Sequence, residues 1–208
     1  MIAIIDYGMG NLASVNKALT YIKCESEITS DPDVISRASG VILPGVGAFG
    51  PAMEALRNAG LDKAVKDYAA SGRPLLGICL GMQLMMSCSA EGAPEGEYID
   101  GLGLIPGKVL KFPSSETTDK GLKVPQIGWN RLTDVTGDLM REGDHVYFVH
   151  SFYCLPDDDS ASAAKTDYGI KYTAALQQGN IFATQFHPEK RGEAGLQMLI
   201  RFAGRTRR

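Results

Sequence analysis

The chain has 208 residues, 44% of them hydrophobic and 22% charged, with a formal net charge of −3. That composition suits one globular domain over residues 1–208, and without a basic excess it argues against nucleic acid or an anionic membrane as partner. No apolar run approaches the ~20 residues of a membrane helix, the N-terminus carries no basic leader, and four cysteines without a C-x-x-C pair predict free thiols in a reducing cytoplasm.

In chain order, residues 2–6 read as a short buried strand and 11–23 as a helix beginning near Asn11. Between them Gly8-Met9-Gly10 makes a poor dinucleotide fingerprint, because position 13 is alanine and no glycine follows at the required spacing. Val41-Ile42-Leu43 is a second strand, ended by Pro44-Gly45-Val46-Gly47. Glycines let backbone amides approach a ligand closely, so the Val46 amide is a candidate oxyanion donor. A phosphate loop would need a Gly-Lys-Ser/Thr ending, which is missing here. Helical spacing over 50–58 and 60–71 breaks at Gly60.

Residues 74–78 form the next strand, and a helix is expected from Leu80 to Cys88. Gly77-Ile78-Cys79-Leu80-Gly81 thus lies at a strand-to-helix bend, the cysteine version of a nucleophile elbow. The bend crowds the backbone and demands small residues on both sides. It presents the thiol at the carboxyl end of the sheet and at a helix N-terminus, which favours thiolate. The Leu80 amide is then positioned to donate to an oxyanion. A lone buried cysteine is more often core packing, and that reading stands for Cys24, Cys88 and Cys154, which lack the flanking glycines.

The second half is richer in strands: 104–112, 123–127, 146–149, 172–176 and 181–184, with a hairpin turn over 177–180. Residues 113–121 and 156–164 read as polar loops, and a final helix covers about 192–203. The whole predicts an α/β three-layer sandwich with a central mixed, mostly parallel sheet. Of the three histidines, His145, His150 and His187, the last sits just past a strand end in His187-Pro188-Glu189. Residues i and i+2 of an extended segment point the same way, so Glu189 can orient the His187 imidazole, completing a Cys79–His187–Glu189 triad. No group of residues has metal-ligand spacing, and no cofactor is expected.

These motifs resemble those of the triad-type (class I) glutamine amidotransferases, whose fold is flavodoxin-like. The match narrows to the glutaminase subunits of imidazole glycerol phosphate synthases through Asp6-Tyr7-Gly8-Met9-Gly10-Asn11-Leu12, Pro44-Gly45-Val46-Gly47, Pro125-Gln126-Ile127-Gly128-Trp129-Asn130 and Tyr147-Phe148-Val149-His150-Ser151-Phe152-Tyr153. The resemblance implies hydrolysis of glutamine to glutamate and ammonia. The ammonia would pass to a separate (β/α)₈-barrel cyclase subunit, which makes imidazole glycerol phosphate and an aminoimidazole carboxamide ribotide. It also implies that Gly47 and Gln83 line the glutamine pocket, and that His150, Ser151 and Phe152 hold the amino-acid end of the substrate. Asn11, Asn16, Gln126, Trp129, Tyr147 and Lys190 would face the partner or gate the ammonia path. Where the family has serine after His-Pro-Glu-Lys, this chain has Arg191. Alternative readings are a glutaminase feeding another ammonia-using synthase, such as a surface-sugar amidotransferase, and a cysteine peptidase or deglycase. His-x-Glu and Gln83 speak against the peptidase.

Overall fold

The computed structural model describes residues 1–113, 123–190 and 192–207. The first half runs β1 (Ile2–Ile5), α1 (Leu12–Tyr21), β2 (Ser26–Thr29), α2 (Pro32–Arg37), β3 (Gly40–Gly45), α3 (Phe49–Asn58), α4 (Leu61–Ala70), β4 (Leu75–Cys79) and α5 (Leu80–Leu84). The second runs β5 (Met86–Ser89), β6 (Ile99–Asp100), β7 (Ile105–Lys111), β8 (Gln126–Arg131), β9 (His145–His150), β10 (Phe152–Pro156), β11 (Ser162–Asp167), β12 (Lys171–Gln178), β13 (Ile181–Thr184) and α6 (Glu193–Arg205).

Strands β1, β3 and β4 are buried at every position. Continuous apolar runs are what a parallel strand needs when helices cover both faces of the sheet. The main sheet has the order β2-β1-β3-β4-β13-β12-β10-β7-β5-β6, with β11 pairing β12. The strands from β2 to β13 are mutually parallel. Strand β12 runs antiparallel to β13, and β10 antiparallel to both β12 and β7. The sheet is therefore mixed: its parallel half joins β1 to β4, from the first half of the chain, with β13, the last strand. One apolar cluster packs α2, α3 and α4 on one face through Ile35, Phe49, Leu56 and Tyr68. The other packs α1, α6 and the β8–β9 ribbon through Leu19, Phe148, Phe186 and Phe202. The three-layer α/β sandwich is thus the fold observed. No helix among the described residues is long and apolar enough to cross a membrane.

Two features position the site. Parallel register sets Gly45 beside Cys79, so the glycine-rich turn after β3 borders the elbow after β4. A two-residue turn, Gly179-Asn180, returns β13 into the sheet between β4 and β12. Gly179 has φ +58°, and the Asn180 side chain donates to the carbonyls of Ala69 and Arg73 at the end of α4. That turn brings the last strand alongside the first-half elbow.

Several elements differ from the sequence reading. The helix expected over 80–88 is only α5, because residues 86–89 pair with β6 and β7 as strand β5. Edge pairing outweighs the weak helical preference of Ser87 and Cys88. The anticipated loop at 156–164 holds a single 3₁₀ turn and the start of β11, whose partner is β12. The strand expected at 123–127 lies at 126–131. Neither β2 nor α2 was anticipated; α2 starts on Asp31, whose side chain accepts from the Asp33 amide, with Pro32 at the first helical position. Residues 114–121 of the other anticipated loop lie outside the described residues.

Candidate active site

Cys79 ends β4 and stands at the entry to α5 with φ +55° and ψ −108°. Such a conformation in a non-glycine residue costs on the order of 1–3 kcal/mol and is held by its surroundings. The surroundings are glycines that cannot be replaced without collision. A Cβ at Gly77 would lie 2.9 Å from the Gly81 carbonyl, and one at Gly81 would strike the Leu43 carbonyl oxygen. A Cβ at Gly45 would lie 2.7 Å from the Tyr7 hydroxyl. Tyr7 itself donates to the Pro44 carbonyl at 2.9 Å, tying the end of β3 to the loop after β1.

Because α5 has only five residues, it offers the sulfur free first-turn amides, Leu80 among them, more than a long-helix dipole. The stronger electrostatic partner is His187. Its side chain is 5% exposed, and Nδ1 lies 2.8 Å from Glu189 Oε1, whose side chain is 2% exposed. Burial alone would push the imidazole pKa down. The Cys79 sulfur and the Glu189 carboxylate outweigh burial and push it up to about 10. Nδ1 is taken by Glu189, which leaves Nε2 for the sulfur.

The His–Glu pair forms differently from the extended arrangement anticipated. The Lys190 amide donates to the His187 carbonyl at 3.2 Å, so residues 187–190 make a tight turn with Pro188 at its second position. The turn folds Glu189 back onto the ring. The His187 amide also donates to the Tyr147 carbonyl, which anchors the turn to β9.

A cavity of about 370 Å³ opens onto this centre. Val46, Gly47, Cys79, Leu80, Gln83, His150, Ser151, Phe152 and His187 all line it, so the structure brings together every residue anticipated for nucleophile, base, oxyanion and glutamine. Glu91 lines it as well, and was missed. Its Oε2 accepts from the Phe49 amide at 2.9 Å, and burial pushes its pKa upward against that bond. Nothing in the sequence around Glu91 marks it, since a fold-level contact with the start of α3 puts it there. Gln185 was also passed over. It is fully buried, with Nε2 at 3.7 Å from the Cys79 sulfur.

His150 is buried, and burial pushes its pKa down to about 4, against the bond to the Phe152 carbonyl. Nδ1 lies 2.7 Å from that carbonyl and Nε2 3.1 Å from the Tyr172 hydroxyl. The His150 ring thus braces the wall of the cavity behind its lining surface.

The residues expected at a partner surface divide. Trp129 is 54% exposed and packs edge-on against half-buried Tyr147, and Lys190 is exposed. Half-buried Asn11 stands at the start of α1. Gln126 does not face outward: it is 2% exposed and bonded to Tyr172, because the alternation of β8 turns Gln126 inward and Ile127 and Trp129 outward. Asn16 is turned aside too, its Oδ1 accepting from Ser26 Oγ at 2.8 Å. Arg191 lies outside the described residues.

With this geometry in hand, comparison with known proteins is informative. The chain is 48% identical to the imidazole glycerol phosphate synthase subunit HisH of Chlorobaculum tepidum, over 98% of this chain and 99% of that one. It is 47% identical to the subunit of the same name from Moorella thermoacetica, over 97% and 93%. Among solved structures, a glutamine amidotransferase superposes with a TM-score of 0.74 at 18% identity, covering 98% of this chain and all of that one. PurLQS from Thermotoga maritima does so with a TM-score of 0.73 at 19% identity, over 98% and 97%. At such identities the two structures speak to fold alone. The family model described as glutamine amidotransferase class-I matches residues 3–204, and with nearly half the residues shared with full-length relatives, this chain belongs to the class-I glutamine amidotransferase family.

Proposed function

We propose that the chain is the glutamine-hydrolysing subunit of an imidazole glycerol phosphate synthase, with Cys79 as nucleophile, His187 as acid–base and Glu189 as the group that orients it. The observation that carries the reading is the buried Cys79–His187–Glu189 arrangement opening into one cavity with Gln83 and Glu91. The relatives are named as subunits of imidazole glycerol phosphate synthase, which supports a second subunit as partner; histidine biosynthesis as the pathway and a (β/α)₈-barrel cyclase as that partner are proposed with it.

The Cys79 thiolate attacks the side-chain carbonyl carbon of glutamine, and the amide oxygen takes up the negative charge. The Leu80 and Val46 amides are the proposed donors to that oxygen, and losing one such donor typically costs ~3–4 kcal/mol of barrier. Protonated His187 gives its proton to the departing nitrogen, the C–N bond breaks, and ammonia leaves a γ-glutamyl thioester. The sulfur is then uncharged, so the imidazole has lost its main counter-charge and can take a proton from water. Hydroxide attack releases glutamate and returns the thiolate and the protonated ring. Glu91, the one carboxylate lining the cavity among the described residues, is suited to the substrate ammonium, and the backbone at His150–Phe152 to its carboxylate.

The test is glutamine hydrolysis by this chain with its cyclase partner, beside a Cys79→Ala variant. The variant is expected to lose glutamine-dependent cyclisation entirely and to keep ammonia-dependent cyclisation at the unmodified rate. Glutamine-dependent turnover surviving in Cys79→Ala would overturn the assignment.

A further inference from the structure

Gln185 belongs to no assigned role, yet it is the one side-chain amide in contact with the sulfur among the described residues. Its orientation follows from a group that cannot be turned around. The Phe152 backbone carbonyl is only an acceptor, and it lies 3.2 Å from the side-chain nitrogen of Gln83. That fixes Nε2 of Gln83 toward β10. The same nitrogen lies 3.1 Å from the side-chain oxygen of Gln185, its second proton being free to bond there. The amide oxygen of Gln185 is therefore committed to Gln83, and its NH₂ group faces Cys79 at 3.7 Å. Reversal would set two NH₂ groups against each other and a carbonyl oxygen against the sulfur, a costly arrangement with Gln185 fully buried and Gln83 4% exposed. The backbone amide of Gln185 donates to the Ala174 carbonyl at 2.9 Å, so the residue cannot drift. The next residue, Phe186, is itself anchored, packing edge-on against Phe148.

We infer that Gln185 is a further residue of the catalytic centre: it donates an N–H bond to the Cys79 sulfur and, through Gln83 and the Phe152 carbonyl, ties the nucleophile to the wall that receives the substrate. A thiolate is a far better acceptor than a thiol or a thioester sulfur. The bond is strongest with sulfur as thiolate, before attack and again when the thioester breaks down. It weakens while the acyl group is attached. Gln185 thus stabilises the attacking form and the leaving form of one atom, whereas His187 moves the protons.

The inference rests on Cys79 being the nucleophile, and the experiment separates the two. Cys79 alkylation by iodoacetamide is followed against pH in the unmodified protein and in Gln185→Met, which keeps the length and removes the donor, and Gln185→Glu, which sets an anion beside the sulfur. Alkylation at Cys79 is located by mass spectrometry. In Gln185→Met the profile is expected to move upward by about one to two pH units, the worth of one hydrogen bond to a charged acceptor. Gln185→Glu is expected to move it further. Glutamine turnover at neutral pH falls about tenfold or more in Gln185→Met and recovers part of the loss as pH is raised, while ammonia-dependent cyclisation with the partner is unchanged. A packing role alone would not produce a loss that alkali repairs. If Gln185→Met does not fold, Gln185→Asn, which withdraws the amide by one methylene, carries the same expected direction. Folded variants with the unmodified alkylation profile would overturn the role of Gln185. Unmodified protein in which Cys79 reacts no faster than exposed thiols would instead overturn the assignment of Cys79.

Discussion

Two buried histidines sit within one site and are driven in opposite directions. His187 has an anion on each side and holds its proton toward pH 10, while His150, stripped of water by burial and facing the His187 charge, gives its proton up near pH 4. For His187 the consequence is mechanistic: in the proposed reaction a ring so firmly protonated would act as acid first, and turn base only after acylation removes the thiolate. Glu189→Gln keeps the shape and removes one of its two anions. Its kcat is expected to fall about 10²–10⁴-fold with little change in KM, read from steady-state glutamine hydrolysis. For His150 the consequence is stability. Its folded pKa lies below the unfolded value of 6.5, so the unfolded chain binds the extra proton as pH falls from about 6.5 to about 4. The fold should lose about 3 kcal/mol across that window from this residue, and nothing further below it. Urea unfolding at pH 7 and pH 4.5 should show a smaller acid loss in His150→Gln than in the unmodified protein; equal losses would count against a neutral buried ring.

Among elements, the strand–bend–helix at 75–84 shows how closely backbone and chemistry are joined. Gly81 faces the Leu43 carbonyl, whereas Gly60, with φ +69°, has nothing within 4 Å of a Cβ. Gly81→Ala is expected to cost at least ~3 kcal/mol or prevent folding, because backbone cannot move out of the way. Gly60→Ala is expected to cost only about 1 kcal/mol, the intrinsic price of a left-handed residue. Denaturant midpoints for the pair measure the contrast. This element was legible from the sequence because its requirements are local: small residues either side of a cysteine after an apolar strand. What followed it was not. Residues 86–88 continue the helical spacing, and only pairing with β6 and β7 makes them a strand. The inward turn of Gln126 depended on its pairing opposite His150 and its bond to Tyr172, 46 residues away. Glu91 and Gln185 were illegible for the same reason: their partners, Phe49 and Cys79, are 42 and 106 residues away in the chain.

At the scale of the molecule, one face beside the cavity carries apolar side chains without cover from this chain. Ile127 pairs with Val149 and Trp129 with Tyr147 across the β8–β9 ribbon, and Ile127, Trp129, Val149 and Val46 are 61%, 54%, 39% and 42% exposed. Such a patch around an active-site mouth fits a docked subunit. Ile127→Glu should weaken binding of the cyclase at least tenfold by calorimetry while leaving the fold intact; unchanged affinity would move the interface elsewhere. Val46 belongs to both this patch and the proposed oxyanion site, and Gly47 after it, at φ +99°, lies outside the strand and can turn. Hydrolysis by the isolated chain is therefore expected to be slow and to rise when the partner and its ligand are added; full activity of the chain alone would exclude such control. Gln185 and His187 follow β13 directly and come beside the elbow only when β13 docks against β4. During translation, at about 5–20 residues per second, the sulfur precedes these companions by some 5–20 seconds. With the proposed triad, a half-synthesised copy would consequently be harmless to the glutamine pool, and no release of ammonia would precede a finished sheet.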